Sequence, residues 1–129
     1  MAYSPLGRGF LTGHIRSVDD LPEDDWRRSN PRFQKDALRQ NIALADHVRA
    51  LAEKRRVTSA QLALAWVHAK GKEIVPIPGT KRPERLEENV AALEVELSDE
   101  DVATLDAAVP ADGVVGGRYR DAEMALINA

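Results

Sequence analysis

From Thr58 to Gly71 the chain carries a helical segment with almost no polar side. Leu62, Leu64, Trp66 and Val67 are interleaved with alanines, and a helix apolar on nearly every side has to be buried on more than one face. Its ends are signalled locally. Thr58-Ser59-Ala60-Gln61 reads as a capping box, in which the threonine hydroxyl and the glutamine amide satisfy orphan N–H groups. Gly71 is free to adopt the left-handed stop.

Two segments are available as strands to cover it. Residues 2–4 are apolar and aromatic and halt at Pro5. Residues 73–78 include Ile74, Val75 and Ile77, although Pro76 counts against a central strand because it donates no ladder hydrogen bond. Over residues 33–56 the spacing predicts a helix, with Leu38, Ile42, Ala45 and Ala52 on one stripe and Leu44, Val48 and Leu51 beside it. Pro83 suits the first turn of another helix, with Leu86, Val90 and Leu93 as its apolar stripe. Ser98 caps a further one, with Asp99, Glu100 and Asp101 where the macrodipole favours carboxylates and Val102 and Leu105 on its buried side. The order is strand, loop, helix, helix, strand, helix, helix. This is α/β, but two strands cannot cover helices starting at Ala60 and Pro83. A parallel barrel takes eight strands and ~250 residues, so a chain of 129 residues reads as unfinished.

Composition narrows the class of partner. The net charge of -3 and pI near 5.6 give no electrostatic reason to expect nucleic acid or an anionic membrane. The absence of cysteine rules out disulfide and thiolate chemistry and fits a reducing, cytoplasmic setting. Met1-Ala2-Tyr3-Ser4-Pro5 lacks the pattern of a signal peptide, and no apolar run approaches the ~20 residues of a membrane span. Residues 14–31 form a polar, irregular loop with turns at Pro22 and Asn30-Pro31. A loop of that length is usually a lid or a mobile segment. Residues 110–129 form a glycine-rich tail, weakly helical from Ala122.

The segment from Ile77 to Asn89 is where chemistry concentrates. A strand ends, Gly79 and Thr80 make a small turn, and a helix begins near Arg82. Free backbone N–H groups at a helix start make an anion site, reinforced by the dipole. Lys81, Arg82 and Arg85 add side-chain cations there, and Thr80 adds a hydroxyl. Lys81 and Arg85, four apart, are able to lean toward one turn, and arginine offers a planar fork for phosphate. One turn on, Glu88 and Asn89 supply an acceptor and an amide suited to the edge of an adenine. The plainer reading is a solvated surface in which these cations pair with Glu84, Glu87 and Glu88, since exposed charge runs are common and contribute little. The strand end, Gly-Thr turn and helix start in succession favour the phosphate reading.

This segment resembles the adenosine-phosphate site of the aldo-keto reductases, with Gly79, Thr80, Lys81, Arg85, Glu88 and Asn89 at the matching positions. The opening Tyr3-Ser4-Pro5-Leu6-Gly7-Arg8-Gly9-Phe10-Leu11-Thr12-Gly13 is similar to the family's seventh-strand segment. There the aromatic, matched by Tyr3, stacks on nicotinamide, and the residues matched by Ser4, Leu6 and Gly7 approach the pyrophosphate. The helix containing Trp66 resembles the family's penultimate barrel helix, and Gly117-Arg118-Tyr119 with the Met124 region resembles its tail. The resemblance runs from Ala2 to Ala129. It implies a (β/α)8 TIM barrel of which residues 1–129 are the C-terminal part, from the seventh strand onward. That part has about two strands with their helices, plus extra helices and a tail. It implies NADP(H) as cofactor and reduction of aldehydes or ketones to alcohols by hydride transfer.

The family's catalytic Asp, Tyr, Lys and His come from earlier strands, and none of their motifs occurs here. Tyr3 matches the stacking aromatic and Lys81 a cofactor ligand, so the chain alone is expected to be inactive. The missing barrel portion, or a second copy, is the expected protein partner. No metal site is expected, because His14, His47 and His68 are far apart in sequence. Ser4 and Thr80 lack a paired His and carboxylate for a hydrolase triad. The alternative is a non-catalytic NADP(H)-binding or regulatory interaction module.

Overall fold

The computed structural model describes residues 1–127. The last two residues of the predicted tail, 128–129, lie outside the described residues. Strands β1 (Ala2–Tyr3) and β2 (Pro76–Ile77) pair in parallel, with Ala2 opposite Pro76 and Tyr3 opposite Ile77. Parallel neighbours need a long crossover. Here it comprises a run of 3-10 turns followed by helices α1 (Lys35–Arg55) and α2 (Ser59–His68). After β2 come α3 (Pro83–Ala91), α4 (Asp99–Ala108) and the short α5 (Asp121–Met124).

Pro76 does lie in the ladder, and the register explains why it is tolerated. The Ala2 N–H donates to the Val75 carbonyl at 2.7 Å, so the hydrogen bond passes Pro76 by. The paired stretch is shorter than the 73–78 run read from sequence. Ile74 is drawn instead into a turn, its N–H donating to the Gly71 carbonyl at 3.0 Å.

The capping boxes at Thr58 and Ser98 both form, each with its hydroxyl on the third backbone amide and the Gln61 or Asp101 side chain returning to the cap amide. The expected left-handed stop at Gly71 does not form. Helix α2 ends at His68 with Ala69 still right-handed, and the chain unwinds through short bonds from Lys70 to Val67 and from Gly71 to His68. The left-handed stop occurs at the end of α1, on a residue without glycine's freedom. Arg56 has φ of 58°, its N–H bonds Glu53 and the Val57 N–H reaches back to Ala52, which is the Schellman pattern.

Two apolar clusters lie along α1. Ile15, Leu21, Phe33 and Leu38 form one, with Phe10 packed edge-on to Phe33 at 5.9 Å. Val48, Ala52, Leu62 and Leu105 form the other, where α1, α2 and α4 meet. Helix α2 buries the unbroken run Leu62, Ala63, Leu64 and Ala65, the many-sided burial its composition demands. On α1 the buried set is Leu38, Asn41, Ala45, Val48 and Ala52. Ile42, Leu44 and Leu51 are only half-buried. Residues 14–31 contain 3-10 turns at Val18–Asp20 and Trp26–Ser29. The segment is fastened by buried Ile15, Leu21 and Asn30.

The tail is docked onto α1 through polar groups. Asn41, buried, donates to the Val115 carbonyl and accepts from the Val115 N–H, both at 2.8 Å. Asn30 donates to the Arg118 carbonyl at 3.1 Å. Gly116, at φ of 93°, passes so close to the Pro31–Arg32 backbone that a Cβ would come within 2.8 Å of the Pro31 carbonyl oxygen. The apolar stripe of α3, by contrast, faces solvent. Leu86 and Val90 are 58% and 56% exposed, Leu93 in the 3-10 turn just after α3 is 67% exposed, and Val75 and Ile77 on the sheet side are open as well.

Candidate functional site

Because β1 and β2 are parallel and in register, the segments that follow them, 4–13 and 78–82, leave from the same end of the strand pair. Ligand sites of parallel α/β barrels lie at that C-terminal end. The first segment is a tight turn rather than an open loop. Ser4 has φ of 51° and its carbonyl accepts from the Gly7 N–H at 2.9 Å; the Leu6 carbonyl accepts from both Gly9 and Leu11. Gly7 has φ of 58°, where a side chain would also crowd the Phe10 Cβ at 3.3 Å. Arg8 follows at φ of 64° and Gly9 at 89°, so Ser4, Gly7, Arg8 and Gly9, all at positive φ, fold a short stretch onto itself. Tyr3 stands at the head of this turn and is 61% exposed. Its hydroxyl accepts from Tyr119 at 3.3 Å, and that bond, Ser4 and the nearby Arg8 charge hold its phenol below the ordinary value against the opposing effect of burial.

The second segment is open. Nothing lies within 4 Å of where a Cβ on Gly79 would stand, so the backbone there is accessible to a ligand. The Thr80 hydroxyl accepts from the Arg82 N–H at 3.1 Å. Pro83 has no N–H, and the Arg85 N–H closes onto the Arg82 carbonyl at 3.1 Å. The start of α3 therefore offers fewer free amides than the sequence reading expects. The charges of Lys81 and Arg82 are left as the main attraction for an anion. Both side chains are exposed, and neither takes part in an ion pair among the described residues.

Arg85 behaves differently. Its guanidinium donates to Glu88 at 2.6 Å and lies 3.0 Å from His14 Nε2. It therefore leans along α3 rather than toward Lys81. At this one position the plainer expectation of cations paired with glutamates on their own helix is realised. Burial pushes the Glu88 carboxyl up, but the Arg85 bond, the Thr58 hydroxyl and the Arg85 and His14 charges outweigh it and leave its pKa lowered. Asn89, half-buried one residue on, has its backbone carbonyl engaged by the helix end. His14 and Thr58 thus join the cluster from other parts of the chain. No local pattern signalled His14, a single histidine in an irregular stretch.

The strand pair, its crossover and the turn at its C-terminal end are a piece of a parallel barrel with exposed cations at that end. The aldo/keto reductase family model matches residues 1–110. The chain is 48% identical over 119 residues to the fission yeast (Schizosaccharomyces pombe) protein named aldo-keto reductase yakc [NADP(+)], covering 92% of this chain and 35% of that protein. It is 44% identical over 117 residues to probable aldo-keto reductase 1 of soybean (Glycine max), covering 91% of this chain and 34% of that one. The structure of the glycerol dehydrogenase AKR11B4 from Gluconobacter oxydans superposes with a TM-score of 0.73 at 31% identity, covering 84% of this chain and 33% of that one. The chain belongs to the aldo/keto reductase family and forms part of its (β/α)8 barrel. It spans about a third of the length of these relatives. No helix among the described residues is long and apolar enough to cross a membrane.

Proposed function

We propose that this chain is the C-terminal NADP(H)-binding part of an aldo-keto reductase that reduces aldehydes or ketones to alcohols. The observation that carries the reading is the unclaimed pair Lys81 and Arg82 beside the open Gly79–Thr80 backbone, at the same end of the strand pair as exposed Tyr3. The residues fit the cofactor: an accessible turn, two unpaired cations and an exposed aromatic ring. The name of the fission yeast relative, which specifies NADP(+), supports the same choice.

In this reading Lys81 and Arg82 hold the 2′-phosphate, with the Thr80 hydroxyl directed by the Arg82 amide. Arg85 is shared between that phosphate and Glu88, so cofactor binding competes with the Arg85–Glu88 pair. Asn89 and Glu88 read the adenine edge. Tyr3 packs against the nicotinamide, and Ser4, Leu6 and Gly7 bring backbone to the diphosphate, which the compact left-handed turn permits. The bound nicotinamide supplies the hydride, and positioning it is this chain's share of the work. The proton donor and its supporting residues belong to the rest of the barrel.

A fluorescence titration of the purified chain with NADPH and NADH tests this. A charge-assisted hydrogen bond contributes about 1.5–3 kcal/mol. Lys81→Gln and Arg85→Ala should therefore each weaken NADPH by about ten-fold or more while leaving NADH nearly unchanged. Equal losses for both cofactors would remove the 2′-phosphate assignment. The same chain should show no NADPH oxidation with any aldehyde or ketone, and turnover free of host reductases would overturn the division of labour.

A further inference from the structure

Arg8 ties together three segments that are far apart in sequence. It stands at φ of 64° between Gly7 and Gly9, both also at positive φ, in the turn that follows β1. Its carbonyl accepts from the Arg27 guanidinium at 2.9 Å, and Arg27 is itself held by Asp25 at 2.6 Å. The Arg8 guanidinium is stacked between the rings of Trp26 and Tyr119, at 4.9 Å and 4.5 Å from their centres. It also donates to the Arg118 carbonyl at 2.7 Å. Trp26 belongs to the irregular segment 14–31 and Tyr119 to the tail, so one side chain joins the turn to both.

The tail beyond Val115 has little else to hold it. Val115 is fixed to buried Asn41, and Gly116 follows at φ of 93°. From Gly116 to Arg120 no residue is buried. The remaining ties are a Tyr119 hydroxyl on the Tyr3 hydroxyl at 3.3 Å, Arg32 Nε on the Gly116 carbonyl at 3.3 Å and Asn30 on the Arg118 carbonyl at 3.1 Å. A segment with so few buried contacts opens at low cost while its neighbours stay folded. Beneath it, between the Ser4–Gly7 turn and the Arg32–Phe33 turn, a cavity of only about 70 Å³ remains, where Tyr3, Ser4, Arg8, Arg32 and Arg118 gather. Pockets that hold organic ligands run to roughly 300–1,000 Å³.

We propose that residues 116–120 are a strap across the turn after β1, hinged at Gly116, and that Arg8 is its clasp. A ligand of that turn enters and leaves when the strap lifts, and the Trp26–Arg8–Tyr119 stack sets how often it lifts. That the ligand is a dinucleotide rests on the reading above; the clasp does not.

Limited trypsin digestion of the 129-residue chain tests the clasp, since cleavage after Arg118 follows the population of the open form. Cleavage after Arg49, inside α1, reports general unfolding and serves as the reference. Arg8→Ala removes two ring contacts and a hydrogen bond and should raise the Arg118-to-Arg49 cleavage ratio by about ten-fold. Tyr119→Leu, which leaves the turn untouched, should raise it by less. Arg39→Gln removes the same charge from a distant salt bridge to Asp36 and should leave the ratio within about two-fold. A ratio unchanged in Arg8→Ala, or raised as far in Arg39→Gln, overturns the clasp. Stopped-flow fluorescence with NADPH tests the gate. Association and dissociation should both quicken in Arg8→Ala by about the factor seen in cleavage, with Kd within about three-fold, because the strap is crossed in both directions. Rates that stay put while cleavage rises, or a faster dissociation alone, overturn the gate. A chain that binds no NADPH removes the dinucleotide reading, and the strap then stands or falls on the cleavage ratio.

Discussion

Asn41 is the residue on which the docked tail depends most. It is a buried polar group on an otherwise apolar stripe, and both halves of its amide are spent on Val115. Asn41→Ala leaves the Val115 N–H and carbonyl without partners, which costs about 1–3 kcal/mol if they stay buried. The expected result is a lower urea midpoint and new protease cleavage between 113 and 120. An unchanged midpoint and cleavage pattern would show that Asn41 does not hold the tail. Asp101 gives a pH-dependent counterpart. The Arg55 guanidinium first, then the Ser98 hydroxyl and amide, hold its carboxyl at about 2. An ordinary aspartate titrates near ~3.9, so its folded pKa is depressed. The stabilisation it provides is complete above that ordinary value and is lost as pH falls through the folded one. Asp101→Asn should therefore flatten the acid limb of stability between about pH 4 and pH 2, followed by circular dichroism. An acid limb as steep as before would mean the Arg55–Asp101 contact carries no linkage.

Among the elements, those with self-contained signals were legible in sequence. Thr58-Ser59-Ala60-Gln61 and Ser98 with Asp101 each satisfy their own helix ends, and Pro83 opens α3 as its fixed φ favours. Thr58→Ala should cost about 1 kcal/mol through the lost cap. A loss well below that on thermal unfolding would show that tertiary packing alone fixes the start of α2. The elements that were not legible are tight turns whose backbone the residue types alone leave undecided. Gly71 invites a left-handed stop, but the Ile74 turn consumes its carbonyl and keeps the backbone elsewhere. Arg56 and Ser4 take positive φ without glycine's help, because the α1–α2 junction and the Gly7 turn require it. Near the candidate site, the position of the turn at Gly79, Thr80 and Lys81, between β2 and α3, was readable from order and type. The Arg85–His14 contact and the gathering of Arg8, Arg32 and Arg118 join segments far apart in sequence, and no local pattern encodes them.

At the scale of the whole molecule, one side is finished and the other is not. Helices α1, α2 and α4 enclose a packed cluster. Leu86 and Val90 on α3 and Leu93 in the 3-10 turn after it lie in solvent, as do Val75 and Ile77, the latter on a sheet that has two strands among the described residues and so unpaired outer edges. Contiguous apolar surface and open strand edges favour association. The isolated chain should sediment above its monomer mass of 14.2 kDa, and Leu86→Lys with Val90→Glu should shift it toward monomer. A wild-type chain that sediments as a clean monomer with cooperative unfolding would show that this surface needs no partner. In the proposed function, the two turns leaving one end of the strand pair form a single cofactor site. Hydrogen–deuterium exchange of the backbone amides, with and without NADPH, reads both turns in one measurement. Protection rising together over residues 4–13 and 79–85 is the predicted result. Protection at one turn alone, or at neither, would contradict it.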